Sequence, residues 1–198
     1  MINLATSYVM RVELQRIEPA VWRRIRMGGG TRLAVLHHII QAAFGWSDME
    51  LHEFEIDGVL YGSRTFAMGE PAGTIRDERE YCAAEVFRVG QQCVYRYDFD
   101  QDWAHDIRIE SATETPEPLA CAVVIDGARS CPPESIGGHG QYQALLRALA
   151  GDPDSAESRA YRKIAGDDFD PERFDRRGAN AALQRLAWNH WGEPYDPA

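Results

Sequence analysis

The sequence predicts an α+β roll with a β-grasp-like N-terminal core. Apolar residues alternate with a period of two at the start of the chain, recur at steps of three and four over residues 32–44, and alternate again from residue 51. This succession predicts a hairpin, then a helix, then further strands. In a β-grasp arrangement such a helix crosses one face of a mixed sheet. A second hairpin and C-terminal helices complete the predicted fold.

Residues 8–27 form the first predicted hairpin. Its first strand has an apolar residue at every second position, and these are Tyr8, Met10, Val12 and Leu14. The segment Glu18-Pro19-Ala20 ends that strand at about residue 17, because proline has no N–H to donate and suits a turn. The returning strand is predicted over residues 21–27.

An apolar stripe marks the helix predicted over residues 32–44. The members of the stripe recur at helical spacing, and they are Leu33, Leu36, His37, Ile40 and Phe44. Thr31 follows three consecutive glycines and is the predicted N-cap. Gly45 is placed to end the helix. We expect the stripe to pack against Val12 and Ile56.

The middle of the chain predicts two further strand pairs separated by a long loop. Residues 51–57 alternate and are followed by the tight-turn signal Asp57-Gly58 and a short return strand. Residues 62–90 mix glycine, proline and charge, which predicts mostly loop. Residues 92–99 and 103–110 alternate around a three-residue turn and form the second predicted hairpin.

The C-terminal part is predicted to be mainly helical. A short strand over residues 120–125 precedes a helix that ends at Gly151. Asp154 and Glu157 have the spacing of a capping box and predict the start of another short helix. The last helix is predicted over residues 175–190.

Length and composition predict one domain over residues 1–198, with a core at about 8–150 and C-terminal helices at about 154–190. A formal charge of -10 disfavours nucleic acid as the main partner, because proteins that grip DNA usually present a basic face. No apolar run approaches the ~20 residues that cross a bilayer, so we expect no membrane association. The N-terminus has no signal-peptide pattern, and the four cysteines include no CxxC pair. We therefore expect reduced thiols and a cytoplasmic location.

Five motifs follow one another along most of the chain. They are IEPAVWRRI at residues 17–25, LHHIIQAAFGW at 36–46, LHEF at 51–54, YDF with DWAH at 97–105, and CPPE followed by GG at 131–138. In this order they resemble the plasmid pRiA4b ORF-3-like family, over about residues 8–186. That family comprises bacterial and archaeal proteins, some carried on plasmids or insertion elements and some labelled as TnpR-type resolvases. The resemblance implies a fold but supplies no activity.

The chain departs from the family pattern at two places. Relatives often have a second cysteine after the CPPE motif, where this chain has Ile136. This puts a cysteine-pair site in doubt. Relatives also often have glycine in the turn before the Asp-Trp pair, where this chain has Asp100 and Gln101.

His52 and His105 are the strongest candidate site residues. Both are predicted on the apolar faces of strands, and Asp98 or Asp102 could supply a nearby acid. Such a group could bind a metal or move a proton. The alternative is a pair of histidines at the edge of the core that only make structural hydrogen bonds. No ligand spacing such as HxxxH favours the metal hypothesis, so the structural alternative is preferred.

Three more residues complete the candidate binding set. Trp103 shares a strand face with His105 and would offer an apolar wall with one N–H donor. Cys131 could act as a nucleophile with His105 as its base, although a free cysteine is more often a small buried hydrophobe. Glu134 belongs to the CPPE motif and is the acid of that segment.

Two further features could each be a binding site, and each also has a simpler structural explanation. The glycines at 137, 138 and 140 precede a helix and could hold an anion, but they lack the Lys and Ser/Thr of a phosphate loop. The predicted strand face of Trp22, Arg24 and Arg26 could contact nucleic acid or an acidic peptide. The preferred interpretation is a solvated face with its arginines paired to acids.

Three classes of function remain open. The first is a non-catalytic binding or adaptor module for a protein or a small molecule. The second is an enzyme or metal-binding protein with a site around His52, His105 and Asp102. The third is a DNA-associated accessory protein of a mobile element that contacts DNA through the region from Arg23 to Arg26. The sequence has no helix-turn-helix signal for it. The sequence does not specify a cofactor.

Overall fold

The computed structural model describes residues 5–63, 75–152 and 154–192. Within these residues the chain is a mixed α+β protein with eight strands in one sheet and five helices. The strands are β1 Ala5–Leu14, β2 Trp22–Gly28, β3 His52–Ile56, β4 Val59–Gly62, β5 Ile75–Asp77, β6 Gln92–Tyr97, β7 Trp103–Thr115 and β8 Val123–Ala128. The helices are α1 Leu33–Phe44, α2 Ala83–Val86, α3 Gly138–Ala150, α4 Ala156–Ala165 and α5 Arg176–Trp188.

The sheet has the strand order β5-β4-β3-β6-β7-β1-β2-β8. Its neighbours are antiparallel except for β4 and β5, which are parallel, so the sheet is mixed. The first hairpin is confirmed as β1 and β2, with Tyr8 opposite Met27. β1 also pairs with β7, which places Val12 opposite Ile107 at the centre of the sheet.

Helix α1 confirms the helix prediction and covers the inner face of the sheet. Leu36, Ile40, Val12 and Ile56 are all buried in one hydrophobic core, as the apolar stripe predicts. Burying each such side chain contributes about 1.5–3 kcal/mol before entropy costs, so this stripe fixes the helix on the sheet.

The predicted start of α1 was wrong by one residue, whereas its end was right. Arg32 is the N-cap and its side chain makes no capping hydrogen bond. Thr31 lies in the preceding turn, where its N–H donates to the Gly28 carbonyl at 3.1 Å. Gly45 has φ 82°, a left-handed conformation that glycine adopts without strain, and its N–H donates to the Gln41 carbonyl at 2.8 Å.

The region from residue 62 to residue 90 contains more regular structure than its composition predicts. β5 and α2 lie within it, and residues 64–74 are outside the described residues. β5 is an edge strand of only three residues, and α2 is a single turn. Elements this short carry too few residues for a periodic pattern.

The C-terminal helices pack around the far end of the sheet. Helix α5 contacts α1 and β8, and the Asn180 side chain bonds both the N–H and the carbonyl of Val124 at 2.8 and 2.9 Å. The N-cap of helix α4 is Ser155, whose hydroxyl accepts from the Ser158 N–H, so the predicted cap at Asp154 was wrong. All four cysteines are free. No helix of the described part of the chain is both long and apolar enough to span a bilayer.

Candidate functional site

Two adjacent histidines of α1 meet one carboxylate. His37 Nε2 and His38 Nδ1 each contact a different oxygen of Asp48. Asp48 lies in the loop that leaves the helix after Gly45, and its φ of 62° is one that aspartate tolerates better than most residues. The loop therefore folds back over the helix and brings the carboxylate between the two imidazole rings.

Burial and hydrogen bonding set the charges of this group. Burial lowers the pKa of His37 to about 4, although the hydrogen bond to Asp48 opposes this shift. Burial favours the neutral acid at Asp48, but the hydrogen bonds from His37 and His38 outweigh it and hold the pKa of that carboxyl below its usual range. At neutral pH His37 is therefore a neutral imidazole and Asp48 is an anion.

A buried hydrogen-bond relay stands behind His37. The Gln41 amide N–H donates to the Tyr95 hydroxyl at 2.9 Å, and that hydroxyl lies 2.7 Å from His37 Nδ1. Because His37 Nε2 donates to Asp48, Nδ1 accepts from the Tyr95 hydroxyl. The Gln41 Oε1 atom is buried and has no hydrogen-bond partner among the described residues. Because Oε1 can still accept a hydrogen bond, the direction of donation between His37, Tyr95 and Gln41 can reverse.

His52 extends the group by stacking on His37. The two rings are parallel, with an interplanar angle of 4° and centroids 3.4 Å apart. His52 Nε2 lies 2.8 Å from an oxygen of Glu78, at the end of the edge strand β5. The site thus combines three histidines and two carboxylates from four separate segments of the chain.

These side chains form one wall of an open cavity of about 620 Å³. Its mouth carries three exposed apolar side chains, Met49, Leu51 and Phe99. On another side Gly192 lies against His38, because a Cβ atom built on Gly192 would come within 2.5 Å of the His38 ring. The cavity is therefore polar at the histidines and apolar at the rim.

The CPPE segment holds the loop that carries Asp48. Glu134 accepts a 2.5 Å hydrogen bond from the Tyr97 hydroxyl and a 2.8 Å bond from the Ser47 N–H. The Met49 N–H in turn donates to the Tyr97 hydroxyl at 3.1 Å. The predicted candidate Glu134 thus supports the cluster rather than belonging to it, because it fixes the residues on both sides of Asp48.

The second predicted histidine, His105, lies in the closed core. Its ring is fully buried against the edges of Phe44 and Trp46, with centroids 4.9 and 5.3 Å away. Its Nδ1 atom bonds the Trp103 carbonyl at 3.0 Å. Burial lowers the pKa of His105 to about 3, so the ring is neutral. The ring of Tyr95 separates it from His52.

The predicted acids do not face either histidine. The Asp98 carboxylate caps its own turn by accepting from the Gln101 amide at 2.6 Å. Asp102 pairs with Arg16 at 2.9 Å on the surface. The structure therefore does not bring His52, His105 and these acids together.

Trp103 and Cys131 also lie in closed surroundings. Trp103 is buried, with its ring 5.6 Å from that of Trp46. Cys131 Sγ accepts from Arg23 at 3.2 Å rather than meeting His105. Burial raises the pKa of the Cys131 thiol to about 12 despite that arginine. A protonated thiol is a poor nucleophile, so the arrangement does not favour the catalytic hypothesis.

At both surface features some of the predicted binding groups already have partners within the chain. The N–H groups of Gly137 and Gly138 donate to the Gln101 side-chain oxygen at 2.9 and 3.1 Å, which occupies the predicted anion position. Arg24 pairs with Glu110 through two hydrogen bonds of 2.7 and 3.1 Å. Arg23 begins the segment through which contact with DNA was hypothesised, but it is buried and donates to four backbone carbonyls.

Sequence reasoning missed most of the cluster. His37 was placed only in the apolar stripe, and His38, Asp48 and Glu78 were not singled out. The one available signal was the His37-His38 pair at the boundary between the apolar and polar faces of α1. Asp48 comes from a loop and Glu78 from the turn after an edge strand, and their contacts with the histidines depend on tertiary packing.

The comparisons with known proteins agree with the fold. The sequence profile of the plasmid pRiA4b ORF-3-like protein family matches residues 6–178. The chain belongs to this family. A relative, the uncharacterized protein y4hQ of Sinorhizobium fredii, is 31% identical over 188 residues, which cover 93% of this chain and 94% of the relative.

A solved structure resembles this member of the family as well. It is the crystal structure of MM3350, a protein of unknown function from Methanosarcina mazei Go1, with a TM-score of 0.77 and 28% identity. The match covers 88% of this chain and 98% of the other. Neither of these two similar proteins is described with an activity.

Proposed function

We propose that the protein is a binding module for a divalent transition-metal ion. The ligands are His37 Nε2, His38 Nδ1 and the Asp48 carboxylate. The observation that carries the proposal is the convergence of these three donors, all within 4.8 Å of one another, on the wall of an open cavity. Within the described residues this is the one group of three or more such side chains with that spacing.

The donor set suits zinc in particular. Two imidazoles and a carboxylate bind Zn²⁺ at roughly 2.0–2.2 Å, so tetrahedral ligand atoms stand about 3.3 Å apart. The present N–H···O contacts are shorter than this, and a small outward movement of the Asp48 loop would admit the ion. Three protein ligands leave a fourth position, which would open into the cavity. Sites with a free position hold an exchangeable water or a bound molecule.

The relay behind His37 supports the same proposal. When Nε2 binds a metal, the ring must carry its proton on Nδ1. Nδ1 then donates to the Tyr95 hydroxyl, and Tyr95 donates to the oxygen of Gln41 after a flip of that amide. Histidine ligands in metal sites usually have such an outer partner, which fixes the ring and its tautomer.

This proposal selects among the hypotheses that the sequence left open. It keeps the binding module and gives it a metal as ligand. It also moves the predicted metal site from His52, His105 and Asp102 to His37, His38 and Asp48, with His52 as a neighbour. DNA association gains no support from the buried Arg23 or the paired Arg24.

The test is calorimetric titration of ZnSO₄ into untagged, EDTA-treated protein at pH 7.5. We expect one ion per chain, with an affinity that falls by at least about 100-fold in His38→Ala and in Asp48→Asn, because each removes a ligand. Titration with Co²⁺ adds a readout, since visible absorption bands report the coordination geometry. Circular dichroism checks that each variant is folded.

The matched control is His139→Ala, which removes a histidine of α3 that is outside the cluster. It should bind zinc like the wild type. Absence of stoichiometric binding by the wild type would refute the proposal. So would wild-type affinity in both folded ligand variants, which would place the ion elsewhere.

A further inference from the structure

We infer that the metal centre takes, as its fourth ligand, an oxygen atom of a small organic monoanion that carries an apolar chain. This inference rests on the proposed function and names the class of molecule that the same site would hold. Its evidence is the shape, the rim and the charge of the cavity beside His37 and His38.

The cavity has the size of a small-molecule site. Its volume of about 620 Å³ lies within the roughly 300–1,000 Å³ typical of such pockets. The histidine group and the exposed side chains of Met49, Leu51 and Phe99 line the same partly open cavity. A molecule that reached the metal would therefore extend its remaining atoms along the cavity towards the rim.

The rim is apolar to a degree that isolated surface residues do not explain. Met49 is 79% exposed, Leu51 38% and Phe99 50%, and all three line this cavity. They make up three of the seven large hydrophobic side chains that are exposed within the described residues. Single exposed apolar residues are ordinary, whereas a contiguous group usually marks a binding surface.

Charge limits the head group to one negative charge. A divalent ion with neutral His37 and anionic Asp48 carries a net positive charge, which attracts an anion. Two other lining carboxylates already have partners, because Glu78 hydrogen-bonds His52 at 2.8 Å and Glu53 pairs with Arg96 at 3.0 Å. The lining Arg79 is paired with Asp77. Glu50 also lines the cavity and adds negative charge, which disfavours a dianion such as a phosphate monoester.

The test uses alkyl hydroxamates on zinc-loaded protein, because a hydroxamate is a monoanionic oxygen ligand for zinc with an adjustable chain. We expect the affinity to rise at least about tenfold from acetohydroxamate to hexanohydroxamate. This allows for partial burial, since a fully buried methylene would contribute roughly fourfold. In the double variant with Met49→Ser and Phe99→Ser, we expect the rise to shrink to about twofold or less.

The matched control is Val89→Ser, which changes an exposed apolar residue outside the cavity. It should keep the full gain with chain length. The zinc affinity of every variant is measured first, so that hydroxamates are compared on fully loaded protein. Metal-free protein is titrated alongside and should bind the long-chain compound at least about tenfold more weakly.

The outcomes separate the two proposals. Two results would refute the apolar ligand while the metal site stands. In the first, zinc binds but hydroxamate affinity does not depend on chain length. In the second, zinc binds and affinity rises with chain length as much in the double variant as in the wild type. If hexanohydroxamate binds equally without zinc, coordination of the head group is refuted. If zinc itself does not bind, both proposals fail.

Discussion

Two histidine environments lie on opposite sides of the Tyr95 ring. On one side His37 and His52 are stacked, paired with carboxylates and open to a cavity. On the other side His105 is enclosed by aromatic rings and bonds a backbone carbonyl. The strand patterns of His52 and His105 look alike in the sequence, yet only one of the two lies in a site that can exchange with solvent.

The covering element makes the difference. Phe44, at the end of α1, and Trp46, just beyond it, close over His105. About two turns before Phe44, the same helix presents His37 to His52. A histidine on an apolar strand face therefore becomes a site or a core residue according to what the neighbouring helix places above it.

The strongest test of this contrast is His105→Ala. Removing a fully buried ring leaves a cavity, and we expect a loss of about 3 kcal/mol in the free energy of unfolding. Zinc affinity should stay within about twofold of the wild type. His38→Ala should behave in the opposite way, with a stability loss below about 1 kcal/mol and lost zinc binding. Urea denaturation and calorimetry measure both. A stable His105→Ala protein that no longer binds zinc would overturn the contrast.

A second test uses pH. Burial lowers the pKa of His105 to about 3, so between that value and the unfolded value of ~6.5 the unfolded chain binds the proton first. The contribution of neutral His105 to the free energy of unfolding is complete above pH ~6.5 and is lost as the pH falls towards 3. Because of this histidine, the free energy of unfolding at pH 5 should be about 2 kcal/mol lower than at pH 7.5.

The comparison is made with His105→Leu, which cannot titrate. Its loss of stability between pH 7.5 and pH 5 should be smaller than that of the wild type by about 2 kcal/mol. His37, whose pKa is lowered to about 4, supplies a remaining pH dependence in both proteins. Equal losses in the two proteins would mean that His105 already titrates normally in the folded state.

Tyr95→Phe tests whether the Tyr95 hydroxyl supports His37 as a metal ligand on the open side of the ring. The substitution keeps the buried ring and removes the partner of His37 Nδ1. We expect zinc affinity to fall about tenfold, the lower end of the range for outer-shell changes. Tyr142→Phe removes the hydroxyl of a buried tyrosine that bonds Ser130 instead, and it should leave zinc affinity unchanged. Identical zinc affinities in both variants would show that the Tyr95 hydroxyl does not support His37 as a metal ligand.

The smallest expected effect is that of Gly192→Ala. A Cβ atom there would lie 2.5 Å from His38 Cδ2, and the φ of 80° already disfavours a side chain. The turn or the His38 ring must shift, so we expect about a threefold loss of zinc affinity and little change in stability. Gly140→Ala is the control, because its added Cβ meets nothing within 4 Å. A wild-type affinity for Gly192→Ala would show that this turn does not position His38.

The sequence predicted the elements whose residues repeat regularly. The stripe through Leu36 and Ile40 located α1, and the alternation around Val12 located β1, because burial on one face imposes a period. It failed at Thr31 and Asp154, which lie one residue from the true caps at Arg32 and Ser155. Each of these caps depends on backbone geometry at a single residue.

The site was less predictable than the fold. His52 was singled out, but its partner Glu78 lies in the turn directly after a three-residue edge strand. Asp48 reaches His37 and His38 only because the chain turns back after Gly45. Asp102 looked close to His105 in sequence, yet its left-handed turn directs it to Arg16. Such contacts are set by chain reversals, which leave no periodic trace in the sequence.

The position of β1 in the middle of the sheet has a consequence for biosynthesis. Residue 12 pairs with residue 107, so one edge of the N-terminal hairpin has no native neighbour until β7 has been made. At ~5–20 residues per second this interval lasts roughly 5 to 20 seconds. Throughout it, a nascent chain that already contains His37, His38 and Asp48 carries an uncovered apolar strand. The β2 edge of the hairpin stays unpaired for longer still, until β8 has been made. Nascent chains that have not yet exposed β7 and β8 outside the ribosome should therefore bind a chaperone more than chains that have.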